Sequence, residues 1–162
     1  MPNQATLILI KPDAIRRGQI GAALSRLEPL GLEIVGAKVV RVSRDLATEH
    51  YQHLRDQPFF EQLLDHLQGK LHNTPYVLVF VLWGANAIER VRQVVGATHP
   101  EQADPMTIRG SLGRVTASGL MENVVHASAD PAEAEREIRL WFTPQELLRA
   151  CVPAKQPSKV RR

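Results

Sequence analysis

The sequence predicts an α+β fold, a ferredoxin-like βαββαβ arrangement in which helices cover the faces of an antiparallel sheet. Two observations predict it: short β-branched or aliphatic runs typical of strands, and segments between them with apolar residues at helical spacing. A helical hairpin and a long loop are expected as additions to this order. The 162 residues suffice for one domain with its own core. We therefore expect a single domain over residues 1–150, followed by a flexible basic tail over 151–162.

The first half of the chain predicts a strand, a helix and a second strand. Residues 6–10 are β-branched or aliphatic and end in a turn at residues 11–13, as a buried strand does. Apolar positions recur at helical spacing over residues 20–27, and Gly31 is the expected C-cap of that helix. Residues 32–42 alternate loosely, which is typical of a strand covered on one face.

A helical hairpin is expected next, at the edge of the sheet. Two short helical patterns cover residues 45–54 and 59–67, and Pro58 separates them because proline cannot continue a helix. Ser43 is the expected N-cap of the first of these helices. The hairpin is therefore an insertion that leaves the βαββαβ order unchanged.

The third strand and a second long helix follow the hairpin. Residues 76–82 form a continuous apolar run, typical of a central strand, and residues 85–95 predict a helix that ends at Gly96. Residues 97–119 show no periodic pattern and contain repeated proline and glycine. A loop of that length inside a compact domain is usually functional, so we expect it to belong to a binding site.

The last strand leads into the last helix. Residues 123–125 predict a short strand that ends at His126. Asp130 and Pro131 form an N-cap and first-turn pair that opens a helix reaching about Phe142. The free N–H groups at the start of that helix are therefore expected close to the histidine, where they favour negative charge.

Composition excludes several classes of protein. The hydrophobic fraction of 44% and the charged fraction of 23% exclude disordered and fibrous chains. The longest apolar run, residues 76–83, is far shorter than the roughly 20 residues of a membrane span, and the N-terminus lacks the pattern of a signal peptide. We expect a cytoplasmic protein without a membrane partner. Cys151 is the single cysteine, which excludes an intramolecular disulfide and a cysteine metal cluster.

The net charge of +3 and the pI of about 9.4 raise the question of a nucleic-acid partner. Part of the excess lies in the last residues, so the remaining chain is closer to neutral and suits phosphate-bearing small molecules at least as well as RNA or DNA. An RNA-binding module of this fold class would need exposed aromatic residues on its central strands, and residues 6–10 contain none. A nucleic-acid partner is therefore not expected.

Side chains, rather than a glycine-rich loop, must hold any bound phosphate. The chain contains no GxxxxGK[ST] motif and no GxGxxG after a strand. The basic candidates are Lys11, Arg92, Arg109 and His126. His126 is the strongest candidate among them, because its small neighbours, Ala127 and Ser128, leave room for a phosphate beside the ring. Glu137, about two turns into the last helix, could orient the imidazole and stabilise its cationic form.

Four stretches of the chain match one known family in residue type and spacing. They read TLILIKPDAIRRGQIG, EHYQHLRDQPFF, VRQVVGATHPEQADPMTIRG, and ENVVHAS followed by EREIRLWF. Through them the chain resembles the nucleoside diphosphate kinase family over about residues 4–147. The four stretches are similar to the family's opening strand and lysine, its helical hairpin, its phosphate-binding loop and its active-site signature.

The resemblance implies an enzyme that transfers the γ-phosphate of ATP, or of another nucleoside triphosphate, to a nucleoside diphosphate. The reaction would be ping-pong, through a phosphohistidine on His126. The catalytic residues implied are His126, Glu137, Lys11 and Tyr51. The residues implied to hold the nucleotide, partly in the long loop, are Lys11, Phe59, Arg92, Thr98, Arg109 and Asn123.

The resemblance also implies low specificity for base and sugar, because Phe59 would stack on the base and every base has an aromatic face. Mg2+ would be held by the phosphates of the nucleotide without a direct protein ligand. The protein would be a homo-oligomer, either a tetramer or a hexamer. A nucleotide-sensing regulatory subunit and a catalytically inactive homologue are alternatives that bind nucleotide without forming phosphohistidine. His126 together with Asn123 and Glu137 argues against both.

The chain departs from the family pattern at two motifs and in two loops. The usual HGSD reads HASA from His126, and the aspartate comes only at Asp130, which either reaches the water shell of the magnesium ion or serves only as a helix N-cap. The usual RGDFG reads RGSLG from Arg109, so we expect the long loop to be braced differently. Insertions are expected near residues 70–74 and within 109–123. The nucleophile, the basic residues and the stacking ring remain, so we expect an active enzyme.

Overall fold

The computed structural model describes residues 1–153, and the part of the predicted flexible tail from residue 154 onward lies outside the described residues. In chain order the strands are β1 (Asn3–Ile10), β2 (Glu33–Val40), β3 (Val77–Ala85), β4 (Arg114–Val115), β5 (Met121–Glu122) and β6 (Val125–Ala127). The helices are α1 (Pro12–Arg16), α2 (Ile20–Leu27), α3 (Arg44–His50), α4 (Phe60–Leu67), α5 (Ala87–Val95), α6 (Ile108–Leu112) and α7 (Pro131–Trp141).

Four of these strands form one antiparallel sheet in the order β2-β3-β1-β6. β1 pairs with β3 along its full length, from Asn3 opposite Ala85 to Ile10 opposite Leu78. On its other side β1 pairs with β6, where Leu9 lies opposite His126. This order, with helices on both faces, confirms the predicted ferredoxin-like βαββαβ fold.

Strand β1 separates two apolar cores, one on each face of the sheet. Leu7 and Leu9 belong to the larger core, which also contains residues of α3, α4 and α7. Ile8 and Ile10 belong to the smaller core, together with residues of α2 and α5. All four side chains are fully buried. Because both faces of β1 are covered, the strand is a continuous apolar run instead of an alternating one.

The predicted helical hairpin is formed by α3 and α4. Ser43 caps α3, since its Oγ accepts a hydrogen bond from the backbone N–H of Leu46 at 3.1 Å. Asp130 caps α7 in the same way, and its Oδ1 accepts from the N–H of Glu133 at 2.9 Å. Both caps lie where the sequence predicts them, because side-chain oxygens of Ser and Asp satisfy the free N–H groups of a first turn.

Two segments contain short helices or strands that the sequence did not predict. Residues 11–13, expected as a turn, include the start of α1, where Pro12 takes the first helical position after an extended Lys11. The segment 97–119 contains α6 and β4 instead of being patternless throughout. The side chain of Thr107 caps α6. Elements of two to five residues carry no hydrophobic periodicity that could predict them.

The last strand begins at Val125 and not at Asn123 as predicted. The reason is Val124, which has a φ of +73°. The N–H of Val125 donates to the carbonyl of Asn123 at 2.8 Å across it. A hydrogen bond that spans one left-handed residue makes a γ-turn, which is rare and strained. As a result His126 lies inside strand β6 rather than after its end.

The last described residues follow the larger core. Leu147, Cys151 and Val152 pack against that core as partly buried side chains. Gly36 of β2 makes room for Leu147, because a Cβ at this position would lie 2.8 Å from Cδ2 of that residue. Of the helices in the part of the chain that the structure describes, none is long and apolar enough to cross a membrane.

Candidate active site

A cavity of about 460 Å³ collects most of the residues that the sequence singles out. Its walls come from the helical hairpin, the long loop, the ends of β1 and β5, and strand β6. Eight of the nine predicted site residues line it: Lys11, Tyr51, Phe59, Arg92, Thr98, Arg109, Asn123 and His126. The ninth, Glu137, is buried in α7 beside His126. The fold thus brings together side chains from across the whole domain.

His126 is held by a carboxylate through one of its ring nitrogens. Nε2 lies 2.9 Å from Oε1 and 3.0 Å from Oε2 of Glu137. Because an ionised carboxylate only accepts hydrogen bonds, this contact places the ring proton on Nε2. Nδ1 keeps its lone pair and has no hydrogen-bond partner within residues 1–153. The side chain is 20% exposed, so Nδ1 is the nitrogen available to a ligand in the cavity.

Glu137 is oriented in turn by Ser128. The Oγ of Ser128 donates to Oε2 of Glu137 at 2.8 Å. The hydroxyl oxygen of Ser128 also accepts a hydrogen bond from the backbone N–H of Leu7 at 3.0 Å. Ser128 is fully buried. A chain of hydrogen bonds therefore runs from the central strand to the imidazole, which fixes the ring orientation before any ligand binds.

Burial keeps the ring of His126 neutral. It lowers the pKa of His126 well below that of an exposed histidine, and the positive charges of Arg109 and Lys11 act in the same direction. Burial also raises the pKa of Glu137, because it penalises the ionised carboxylate. A positive charge that develops on the ring during a reaction would relieve that penalty. The pair is therefore arranged for a nucleophile that becomes cationic.

Lys11 and Asn123 form the wall nearest the end of β1. The Nζ of Lys11 donates to Oδ1 of Asn123 at 2.6 Å, and Nδ2 of Asn123 donates to the carbonyl of Thr98 at 3.0 Å. Burial lowers the pKa of Lys11. An ammonium group whose charged form is penalised in this way gains from an anion bound beside it.

Arg109 lies in the long loop, where two backbone carbonyls hold its guanidinium group. Its Nη1 donates to the carbonyl of Gly96 at 3.1 Å and its Nη2 to the carbonyl of Val125 at 2.9 Å. Gly96 has a φ of +88°, and a Cβ there would lie 2.3 Å from Oγ1 of Thr107, so the turn requires glycine. Burial, and then the charge of Arg92, lower the pKa of Arg109 to about 10.

The charges around the cavity have one sign. Lys11, Arg92 and Arg109 line it, and none of its lining residues within 1–153 is an aspartate or a glutamate. Phe59 lies at its edge and remains 45% exposed. Cationic walls with an exposed aromatic ring favour a ligand that has both an anionic part and a flat apolar part.

His50 is a contact of His126 that the sequence analysis missed. Its buried ring lies 4.5 Å from the ring of His126, edge to face at 79°. The indole Nε1 of Trp141 donates to Nδ1 of His50 at 3.2 Å. Burial lowers the pKa of His50 well below its usual value, so this ring is neutral. Its sequence neighbours in the predicted helix are polar, and only its position directly before Tyr51 could have pointed to the site.

Asp13 and His66 form a second buried pair that the sequence analysis missed. Nε2 of His66 lies 2.9 Å from Oδ1 of Asp13. Burial lowers the pKa of His66 to about 4, while hydrogen bonds and the charge of Lys11 hold the pKa of Asp13 below its usual range despite the opposing effect of burial. The pair is therefore a neutral imidazole that donates to an ionised carboxylate.

One group of three residues among 1–153 has the spacing of a metal site. His50, His126 and Glu137 each offer a ligand atom, and these atoms lie within 4.8 Å of one another. The chemistry does not suit a resident metal. Nδ1 of His50 accepts from Trp141, which places the proton of this neutral ring on Nε2, and Nε2 of His126 also carries a proton. The cationic side chains nearby would also repel a divalent ion. We interpret the group as a hydrogen-bonded support for the nucleophile.

The two motif departures can be located in the structure. The Asp130 carboxylate acts as the N-cap of α7 and lines a neighbouring cavity together with Arg92. A water-mediated contact of Asp130 with magnesium stays a prediction. The long loop is braced at Leu112, whose carbonyl accepts hydrogen bonds from Arg17 at 2.8 Å and from Gln19 at 3.2 Å. Ser111 donates to the carbonyl of Thr107 and so stays within its own helix.

The fold and the site are typical of a class of protein that handles phosphate, with a neutral histidine hydrogen-bonded to a carboxylate in a cationic cavity. Comparison with known proteins makes the class specific. The sequence profile of the family described as nucleoside diphosphate kinase matches residues 4–147. The chain belongs to the nucleoside diphosphate kinase family, and as a member it is a nucleotide-binding phosphotransferase.

Individual relatives are similar over most of their length. The chain is 48% identical to the nucleoside diphosphate kinase of Pyrococcus horikoshii, over 89% of this chain and 88% of that protein. It is 45% identical to that of Symbiobacterium thermophilum, over 86% and 87% of the two chains. Two solved structures have a TM-score of 0.81. One is the Borrelia burgdorferi enzyme, a transition-state mimic with vanadate and ADP, at 38% identity with 91% and 92% of the chains covered. The other is the Halobacterium salinarum enzyme with CDP, at 39% identity with 92% and 93% covered.

Proposed function

We propose that this protein transfers the γ-phosphate of ATP, or of another nucleoside triphosphate, to a nucleoside diphosphate through a phosphohistidine on Nδ1 of His126. The single observation that carries the proposal is the contact of Nε2 with both carboxylate oxygens of Glu137, at 2.9 and 3.0 Å. It leaves Nδ1 unprotonated in a neutral ring beside the cavity. A catalytically inactive homologue would not need this arrangement.

The first half-reaction forms a P–N bond and breaks a P–O bond. The Nδ1 lone pair of His126 attacks the γ-phosphorus, the bond to the β-phosphate oxygen breaks, and the nucleoside diphosphate leaves with that electron pair. The ring is then cationic, with phosphorus on Nδ1 and the proton still on Nε2. Glu137 stabilises that charge. In the second half-reaction a terminal oxygen of another diphosphate attacks the phosphorus, the P–N bond breaks, and the neutral ring returns.

The cationic side chains support transfer of a highly charged group. Lys11, Arg92 and Arg109 would offset negative charge on the phosphates, and Asn123 and Thr98 would hold Lys11 and the sugar in position. The cavity lining described within residues 1–153 lacks a carboxylate, which fits a magnesium ion that arrives on the phosphates of the nucleotide. When bound, Mg2+ supplies additional neutralisation of phosphate charge.

Phe59 would accept the base, and Tyr51 would border the histidine ring. Stacking on an aromatic face does not read the hydrogen-bonding edge of a base, so purines and pyrimidines are accepted alike. The assembly is proposed to be a homo-oligomer, a tetramer or a hexamer. Exposed Ile34 and Val39 on the edge strand β2 support an association. A cytoplasmic location stays a prediction from the sequence.

The proposal is tested by incubating the protein with γ-labelled ATP and magnesium. We expect a label on the protein that is labile in acid and stable in base, as a phosphoramidate is, and that is discharged by a nucleoside diphosphate. The His126→Ala variant should take up no label, while His99→Ala, which alters a histidine outside the cavity lining, should label normally. Nucleotide binding without any label in the unmodified protein would instead identify the inactive homologue.

A further inference from the structure

A buried carboxylate lies directly behind the nucleotide cavity and is not used by the proposed chemistry. Glu122, in β5, is only 3% exposed and immediately precedes Asn123. Its Oε1 accepts a hydrogen bond from Nε2 of His72 at 2.8 Å. Its Oε2 accepts from Nε of Arg114 in β4 at 2.5 Å, and Arg17 lies 4.0 Å from the same oxygen. A buried carboxylate with this many donors is held in a single position.

His72 brings this carboxylate to the other side of the cavity. It belongs to the compact loop after α4, where Gly69 at a φ of +75° accepts a backbone hydrogen bond from Thr74. The ring of His72 lies 4.9 Å from the ring of His66, which is part of α4. The contact with Glu122 therefore ties the loop and its helix to the β4–β5 segment.

The two elements tied by Glu122 both contribute walls to the nucleotide cavity. Phe59, Leu63 and His66 of the α4 wall line the cavity, and Gly119, Leu120 and Met121 line it from the β4–β5 side. Glu122 directly follows this second group and is hydrogen-bonded through His72 to the loop after α4. The same two segments are those in which the sequence predicts insertions relative to the family pattern. The contact thus joins these two segments.

We propose that Glu122, oriented by Arg114, is a positioning residue that through His72 sets the separation of the two cavity walls and hence the affinity for nucleotide. The inference rests on the proposed function only for the identity of the ligand. Glu122 makes no contact with the nucleophile or with Glu137 among the described residues, so it should affect binding more than phosphoryl transfer. Both the donor triphosphate and the acceptor diphosphate occupy this cavity and should be affected together.

The variants follow from the hydrogen bonds. Glu122→Gln keeps the shape of the side chain but replaces one acceptor oxygen with an amide N–H. That N–H faces the donor of His72 or of Arg114, so one of these two hydrogen bonds is lost. His72→Ala removes the link to α4 alone, whereas His72→Gln retains an amide N–H that can reach Glu122. Glu101→Gln is the matched control, since Glu101 is exposed and lies outside the cavity lining.

The experiment measures KM and kcat for ATP and for two diphosphates, GDP and CDP, together with the affinity for ADP by titration calorimetry. For Glu122→Gln and His72→Ala we expect KM and Kd to rise about three- to tenfold for every nucleotide, with kcat changed by less than about twofold. His72→Gln should recover most of the affinity. The double variant that combines Glu122→Gln with His72→Ala should bind nucleotide no more weakly than Glu122→Gln alone, because both changes act on the same contact.

Three outcomes overturn the proposal: unchanged Kd in folded Glu122→Gln and His72→Ala, loss of kcat without change in KM, or an equal loss in Glu101→Gln. If Glu122→Gln does not fold, His72→Ala and its rescue by His72→Gln decide, because they alter the link to α4 and leave the carboxylate in place. The calorimetric Kd needs no turnover. If the protein forms no phosphohistidine, the proposed function is wrong, but the Kd for ADP can still be measured and still tests the role of Glu122.

Discussion

Oδ2 of Asp13 accepts a hydrogen bond from the backbone N–H of Val124 at 2.9 Å, which anchors the strained turn that precedes His126. The carbonyl of Val124 accepts from the N–H of Lys11 at 2.9 Å, so both backbone polar groups of the left-handed residue are satisfied by one short segment. A β-branched residue at positive φ costs on the order of 1–3 kcal/mol and persists only where its surroundings enforce it. The turn sets Asn123 against Lys11 and leaves His126 in the strand.

Replacing Asp13 with Asn should destabilise the protein. The side chain would lose its charge and direct an amide N–H at one of two donors, which costs about 1.5–3 kcal/mol. Because the pKa of Asp13 is lowered in the folded state, this stability is present above the unfolded pKa and is lost as pH falls through the folded one. Urea unfolding at about pH 7 should therefore show the full difference, and the two proteins should converge in acid. Exposed Asp56→Asn is the control; equal effects of both variants would contradict the role of Asp13.

Folding stability should fall as the pH is lowered from about 7.5 to about 5. The pKa of His66 is lowered to about 4, and those of His50 and His126 are also lowered, mainly by burial. The unfolded chain therefore binds protons near pH 6.5 that the folded chain does not, and each histidine should contribute about 1–2 kcal/mol of this loss. The measurement is the free energy of unfolding across the pH series. A curve that is flat over this range would show that these rings are not buried and neutral.

Glu137→Gln should slow phosphorylation of His126 more than it weakens nucleotide binding. The amide can still accept from Nε2, but it no longer offsets the positive charge of the phosphorylated ring, so the single-turnover labelling rate should fall on the order of 100-fold. KM should stay within about threefold, because Glu137 lies behind the ring. Glu135→Gln, on the same helix and paired with Arg139, is the control. A large rise in KM at an unchanged labelling rate would assign Glu137 to binding instead.

Phe59→Ala should weaken binding of all nucleotides by a similar factor. Loss of one stacking ring costs about 1–3 kcal/mol, and it should appear equally in the KM values for adenine, guanine and cytosine nucleotides. Thermal stability should change little because Phe59 is 45% exposed. Tyr76→Ala, an exposed aromatic outside the cavity lining, should leave KM unchanged. A loss confined to purines would mean that Phe59 does not act by stacking alone.

Local signals in the sequence predicted most of the sheet and several helix boundaries. The run over residues 6–10, the N-caps Ser43 and Asp130 and the helix ending at Gly96 each depend on a few adjacent residues, and the structure has them. The site residues could be predicted because the family motifs hold them at matching spacings. Their convergence on one cavity agrees with that pattern.

What the sequence could not predict depends on contacts between distant residues. Asp13 looked like a turn residue, and nothing near Val124 indicates a positive φ for a β-branched side chain. His72 and Glu122 are 50 residues apart in two segments without periodicity, so only the folded chain brings them together. The strands β4 and β5 have two residues each, too few for an alternating pattern.

The proposed use of a single cavity around His126 has a consequence for the direction of phosphate transfer. Under the proposed mechanism the donor would leave and the acceptor would enter through the same mouth, and both would present a diphosphate to the same cationic side chains. The bond broken and the bond formed are both phosphoanhydrides of nearly equal energy. Such a catalyst has no built-in preference for forward or reverse turnover. The direction of net phosphate transfer would therefore follow the relative concentrations of the nucleotides around it.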